Sequence, residues 1–132
     1  MHGSVTDAVE VSVPARAEYV RLLRTVAAAA GARHDLTVDA IEDLRIAVDE
    51  AGAQLLHLGG ATLILRIGAA DDGVLVEVTT DATDAAWPPD GMERSLAWQV
   101  LEGLTDEVAV DRGADGPSIR IRKRAVGATS PP

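Results

Sequence analysis

The chain has 132 residues, is 47% apolar, carries a formal net charge of −9 and contains no cysteine. That length suits one domain around one core. The charge repels nucleic-acid phosphates and disfavours direct DNA or RNA binding, while it attracts a basic protein partner. The missing cysteine excludes disulfides, thiol catalysis and zinc–thiolate sites.

No apolar run reaches membrane-spanning length and no signal-peptide pattern opens the chain, so no membrane association is expected and the cytoplasm is the expected compartment. With no Phe, one Tyr and two Trp, the core must be built from aliphatic side chains.

Residues 1–8 lack a periodic pattern and read as a loose N-terminus. Val9 to Val13 alternates with period two and predicts a short strand. Pro14 is expected to end that strand and to open a helix. From Ala15 to Ala30, Tyr19, Leu22, Leu23, Val26, Ala27 and Ala30 recur at helical spacing, with Arg16, Arg21 and Arg24 facing away and Gly31 placed as a C-cap. His34 to Leu36 is a linker. Thr37 is positioned to cap a second helix that runs to about Leu58 and stops at Gly59-Gly60.

Ala61 to Gly68 and Val74 to Thr80 predict two strands joined by the hairpin signal Asp71-Asp72-Gly73. Asp81 to Gly91 is turn-rich and holds Trp87-Pro88-Pro89. Met92 to Leu104 reads as a third helix. Glu107 to Asp111 and Ser118 to Lys123 read as strands joined by a turn over Gly113 to Gly116, and residues 125–132 read as a tail. This order predicts an α/β (α+β) two-layer sandwich. Its sheet is mixed or mostly antiparallel and is covered on one face by three helices.

The second helix carries the chemistry. Ile41, Leu44, Val48, Ala51, Leu55 and Leu58 form an apolar stripe. At about 100° per residue, Glu50 and Gln54 lie one above the other, roughly 40° apart in projection and off that stripe. A carboxylate that polarises a hydroxyl, beside an amide oxygen that ligates a hard cation, suits phosphoryl transfer. Asp49 and Glu50 do not form a carboxylate pair, because neighbours on a helix diverge. His34 and His57 have no second ligand at metal spacing and are assigned to surface or packing. Trp98 is assigned to the core. Trp87, in a proline-rich loop, is the better candidate for an interface.

The segment Leu44-Arg45-Ile46-Ala47-Val48-Asp49-Glu50-Ala51, within Pro14 to Leu56, resembles the GHKL (histidine-kinase-like) ATPases. More narrowly, it resembles the bacterial anti-sigma factors that double as serine protein kinases, the actinobacterial sigma-F-type branch above all. Leu96 to Val108 resembles that family's helix after the lid and the strand that follows. The similarity covers roughly residues 9–124, which are read as one domain between termini 1–8 and 125–132.

The resemblance implies a Bergerat-type fold. It implies Glu50 as the kinase base and Gln54 as the amide that holds magnesium. It implies Asp81 as the reader of the adenine amino group and Gly91 as what remains of the lid. The implied cofactors are ATP and Mg2+. The implied partners are a sigma factor and an anti-anti-sigma antagonist, with homodimer formation.

Three departures bear on the nucleotide. The family amide is usually Asn, and Gln54 displaces the oxygen by one methylene. Ala82-Thr83-Asp84-Ala85 lacks the glycines expected after Asp81. Ser95-Leu96-Ala97 stands where a glycine-rich lid is expected. Backbone amides approach phosphate closely only where no Cβ intervenes. The departures imply ATP binding that is weak, altered or absent, and an anti-sigma factor with a degenerate ATP site. An active serine kinase and a nucleotide-independent interaction module are the alternatives.

Overall fold

The computed structural model describes residues 6–83 and 86–125. In chain order these form β1 (Thr6–Pro14), α1 (Ala17–Arg33), α2 (Val38–Leu56), β2 (Thr62–Ala70), β3 (Gly73–Thr80), a 3-10 turn (Met92–Arg94), α3 (Leu96–Leu104), β4 (Glu107–Gly113) and β5 (Gly116–Arg124). The five strands make one sheet in the order β1-β2-β3-β5-β4, with every pairing antiparallel. Three helices and this sheet make the expected α+β sandwich in its antiparallel form.

Register explains the two layers. Leu65 faces Val11 and Val78, Val78 faces Ile119, and Ile119 faces Val110. Because side chains alternate across a strand, this row and its neighbours Leu63, Ile67, Val76 and Ile121 share one face. They are buried in the same cluster as Leu23, Ala27, Leu44, Val48, Ala51 and Leu55 from α1 and α2. The other face carries charge. The row Glu10, Arg66, Glu77, Arg120 runs across four strands. Arg66 donates to Glu10 (2.7 Å), Glu77 (3.0 Å) and Asp115 (2.9 Å). These bonds, that to Glu10 first, raise its pKa above the ordinary guanidinium value.

Several boundaries differ from the sequence expectation. β1 begins at Thr6, inside the segment expected to be loose; residues 1–5 and 126–132 of the expected termini lie outside the described residues. Pro14 stays in the strand, opposite Thr62, because an edge strand tolerates a residue with no N–H. α1 therefore starts later, at Ala17. It also runs through Gly31, and Asp35 takes the left-handed turn at φ 65°. Leu22 leaves the apolar stripe and is 46% exposed, since Leu23 next to it points inward. The third helix is broken at Ser95. Its hydroxyl accepts from Trp98 N–H at 3.1 Å and donates to Met92 C=O at 2.7 Å, which caps α3 and closes the 3-10 turn.

Two helical glycines have opposite surroundings. A Cβ on Gly52 would lie 2.9 Å from Cγ1 of Val20, where α1 crosses α2; a Cβ on Gly103 would meet nothing within 4 Å. Replacing a helical Gly by Ala gains roughly 0.5–1 kcal/mol of backbone entropy, whereas overpacking a core costs roughly 1–3 kcal/mol. Val20 is stiff at χ1 and cannot yield cheaply. Gly52→Ala is expected to lower stability by about 1–2 kcal/mol and Gly103→Ala to raise it by up to about 1 kcal/mol. Urea denaturation midpoints of the two variants check the opposite signs.

Candidate functional site

α2 is positioned by its cap and its stripe. Thr37 Oγ1 accepts from Ala40 N–H at 3.0 Å, so the helix starts where Thr37 predicts. Leu44, Ala47, Val48, Ala51 and Leu55 are completely buried, which fixes the rotation of the helix about its axis. Glu50 and Gln54 then stand on its flank, half-buried. Gln54 Nε2 donates to Glu50 Oε2 at 3.0 Å. The amide thus turns its NH2 to Glu50 and its oxygen away. Asp49 points elsewhere and meets Arg24 of α1 at 3.5 Å. Among the described residues no group of three or more His, Cys, Asp or Glu side chains is arranged to hold a metal ion.

Asp81 sits just past β3. Its Oδ1 accepts from the backbone N–H groups of Ala61 (2.8 Å) and Thr62 (3.1 Å), clamping the start of β2. The Thr62 N–H is the largest cause holding the Asp81 carboxyl below its ordinary pKa. Gly60 makes the approach feasible: a Cβ there would collide with Thr80 Oγ1 and lie 2.7 Å from Asp81 Oδ1. The sequence marks Gly60 only as a helix stop; its close approach to Asp81 leaves no local signal. Leu58, Gly59, Gly60, Ala61, Asp81, Ala82 and Thr83 line a cleft of about 260 Å³. Glu50, Gln54 and Gly91 are not among its walls. The fold therefore joins Glu50 to Gln54 by a hydrogen bond and gives Asp81 a separate polar anchor.

The segment between β3 and α3 is pinned to the core. Trp87 is 9% exposed, and its Nε1 donates to the carbonyls of Asp111 (2.9 Å) and Ser118 (3.3 Å). Trp87 is thus a core residue and not an exposed interface residue: its indole fills space that a chain without Phe cannot otherwise fill. Met92, 3% exposed, is a second anchor. Gly91 adopts φ 78° and starts the 3-10 turn. Trp98 packs half-buried against the core, as expected. Asp84 and Ala85 lie outside the described residues.

Comparison with known proteins bears on this arrangement. The family model for the histidine kinase-like ATPase domain matches residues 13–123. The chain is 39% identical over 116 residues to the anti-sigma-F factor RsbW of Mycobacterium tuberculosis, an alignment covering 85% of this chain and 66% of that protein. It is 47% identical over 115 residues to the serine-protein kinase RsbW of Bacillus subtilis, covering 83% of this chain and 68% of that protein. A Bacillus cereus serine-protein kinase RsbW is 33% identical over 81 residues, covering 52% and 51%. The chain thus spans just under two thirds of the mycobacterial relative's length and about half of the Bacillus cereus one.

The Asp81 clamp has a pH signature. Its folded-state pKa is lowered, so its stabilisation is complete above the unfolded value of about 3.9 and is lost as pH falls through the folded value. The stability gap between the wild-type chain and Asp81→Ala is expected to be largest near neutral pH and to narrow as pH drops below about 4. Thermal or urea melts at several pH values measure it; a constant gap would show that the clamp does not use the charge.

Proposed function

The chain belongs to the histidine kinase-like ATPase family, and from that premise we propose that it is a cytoplasmic anti-sigma factor. In this reading it holds a cognate sigma factor away from RNA polymerase, and its ATP site is degenerate. The name of the mycobacterial relative, an anti-sigma-F factor that aligns with 85% of this chain, supports the first half. The formal charge of −9 supports it too, because an acidic protein steers a basic partner surface into encounter and mainly raises the on-rate. No helix among the described residues is long and apolar enough to cross a membrane. Release by an anti-anti-sigma antagonist and assembly as a homodimer belong to the same proposal.

The segment from Ala82 to Leu96 carries the second half. It is anchored by Trp87 and Met92 and has one glycine, Gly91, so it offers few backbone amides free of a neighbouring Cβ. Gln54 turns its amide nitrogen to Glu50 and leaves its oxygen directed away. The scarcity of glycine in the segment does not fit a firm backbone grip on a triphosphate. In this proposal residues 9–124 are the binding domain, and Glu50, Gln54, Asp81 and Gly91 mark the place of the family's nucleotide site.

The second reading is an active serine protein kinase in which Glu50 takes the proton from the antagonist's serine. The name of the Bacillus subtilis relative supports it. Affinity capture of the chain from its host is expected to yield a sigma factor or a sigma-factor antagonist as the main partner; any other partner overturns the assignment. Calorimetry is expected to detect no low-micromolar binding of Mg-ATP. Phosphorylation of a captured antagonist that disappears in Glu50→Ala would favour the kinase instead.

A further inference from the structure

β4 is an edge of the sheet: β5 pairs with one side of it, and among the described residues no strand pairs with the other. Edge strands present unpaired N–H and C=O groups and are commonly blunted by charged side chains, Lys above all, by Pro or by a covering element. β4, Glu-Val-Ala-Val-Asp-Arg-Gly, has neither Lys nor Pro, and its charges sit at its two ends with Val-Ala-Val between them. Its register places Val108 and Val110 opposite Ile121 and Ile119, on the helix-covered face. Both valines are only half-buried at the margin of the core, so the apolar layer of the sheet ends unfinished here. Glu107 and Asp111 lie on the other face, opposite Arg122 and Ser118, and both are exposed.

The surroundings add shape and charge. Two hollows meet at Glu107 and Val108. One, of about 340 Å³, is floored by Leu75 and Ala109 and walled by Arg120 and Arg122; the other, of about 400 Å³, lies against Glu102, Thr105 and Asp106 and is the acidic one. Between Ser95 and Asp111 the chain holds Glu102, Asp106, Glu107 and Asp111 and no Lys or Arg. Arg122 reaches Glu107 at 3.3 Å, yet the Glu107 side chain remains 64% exposed.

We propose that β4 is a docking edge that takes an extended segment of a protein partner as an additional strand, and that this segment alternates cationic and aliphatic residues. Ladder hydrogen bonds supply affinity, and the alternation supplies specificity. On one face the incoming side chains lie beside the exposed carboxylates of Glu107 and Asp111, which favour cations even though Arg122 already meets Glu107 from the other side. On the other they lie beside Val108 and Val110 and extend the apolar layer. The inference goes beyond the sigma-factor reading, which concerns the captured protein and stands or falls separately.

The test uses the full chain and a synthetic peptide of about eight residues, an ordinary strand length, alternating Lys and Val. The comparators are a Glu-Val peptide, a Lys/Val peptide of the same composition in two blocks, and the alternating peptide N-methylated at every second residue on its pairing edge. The alternating peptide is expected to bind and to slow amide hydrogen exchange within residues 107–111. N-methylation preserves charge and removes ladder donors, and is expected to weaken binding about tenfold or more. The double variant Glu107→Lys/Asp111→Lys, verified as folded by circular dichroism, is expected to weaken it similarly. Failure of the alternating peptide to bind, equal binding by the N-methylated or block peptide, or protection that falls outside β4 would overturn the proposal.

Discussion

The seating of α2 on the sheet is the constraint on which everything else in this molecule rests. Its buried stripe of Leu44, Ala47, Val48, Ala51 and Leu55 meets the apolar face of the central strands. Each large aliphatic side chain taken out of water contributes roughly 1.5–3 kcal/mol, while an exposed ion pair such as Arg45–Glu42 contributes about 0–1 kcal/mol. The stripe therefore decides which way α2 is turned, and Glu50 and Gln54 follow as passengers of that rotation. Hydrophobic contact is not directional, however. Axial placement is assisted by Lys123, which reaches from β5 to Asp43 of α2 at 3.2 Å and to the Leu104 carbonyl at the end of α3 at 2.9 Å. One ammonium thus joins three elements near the point where their packing converges.

What could be read in advance was whatever one stretch of chain specifies by itself. The stripe on α2, the Thr37 cap, the Asp71-Asp72-Gly73 hairpin and the shared face of Val74, Val76 and Val78 are all local periodicities or turn signals, and all appear in the fold. The Glu50–Gln54 pair follows from helical spacing alone. The misreadings arose where distant residues intervene. Pro14 stayed in a strand because Thr62 lies opposite it. Trp87 was taken for an interface residue because nothing nearby in sequence announces that the carbonyls of Asp111 and Ser118 wait for its indole N–H. The amides at the start of β2 that donate to Asp81, and the closeness of Gly60 to that carboxylate, were equally invisible in the sequence. Local chemistry was legible; partners brought together by the sheet were not.

The two faces of the sheet divide the molecule's tasks. The helix-covered face is aliphatic and supplies cohesion. The opposite face satisfies its charges within the chain: Arg66 gathers three carboxylates, and Asp72 holds Arg122 and Arg124, the latter bond being the largest cause lowering the Asp72 pKa.

The same economy bears on the segment between β3 and α3. A lid that closes over a ligand has to be drawn from the least stable part of a fold, since opening and closing must cost little. Here that segment contributes Trp87 and Met92 to the core. A tryptophan buries roughly 150–250 Å², so its extraction costs about 4 kcal/mol or more at 25 cal/mol per Å² before any hydrogen bond is counted. Burial of these two side chains ties that part of the chain to the core. A binding surface benefits from that tie, because a partner that docks on a rigid face has less ordering to impose. A catalytic cycle that must admit, enclose and release a nucleotide does not. Within the proposed reading, the anchored indole belongs to a surface that holds another protein.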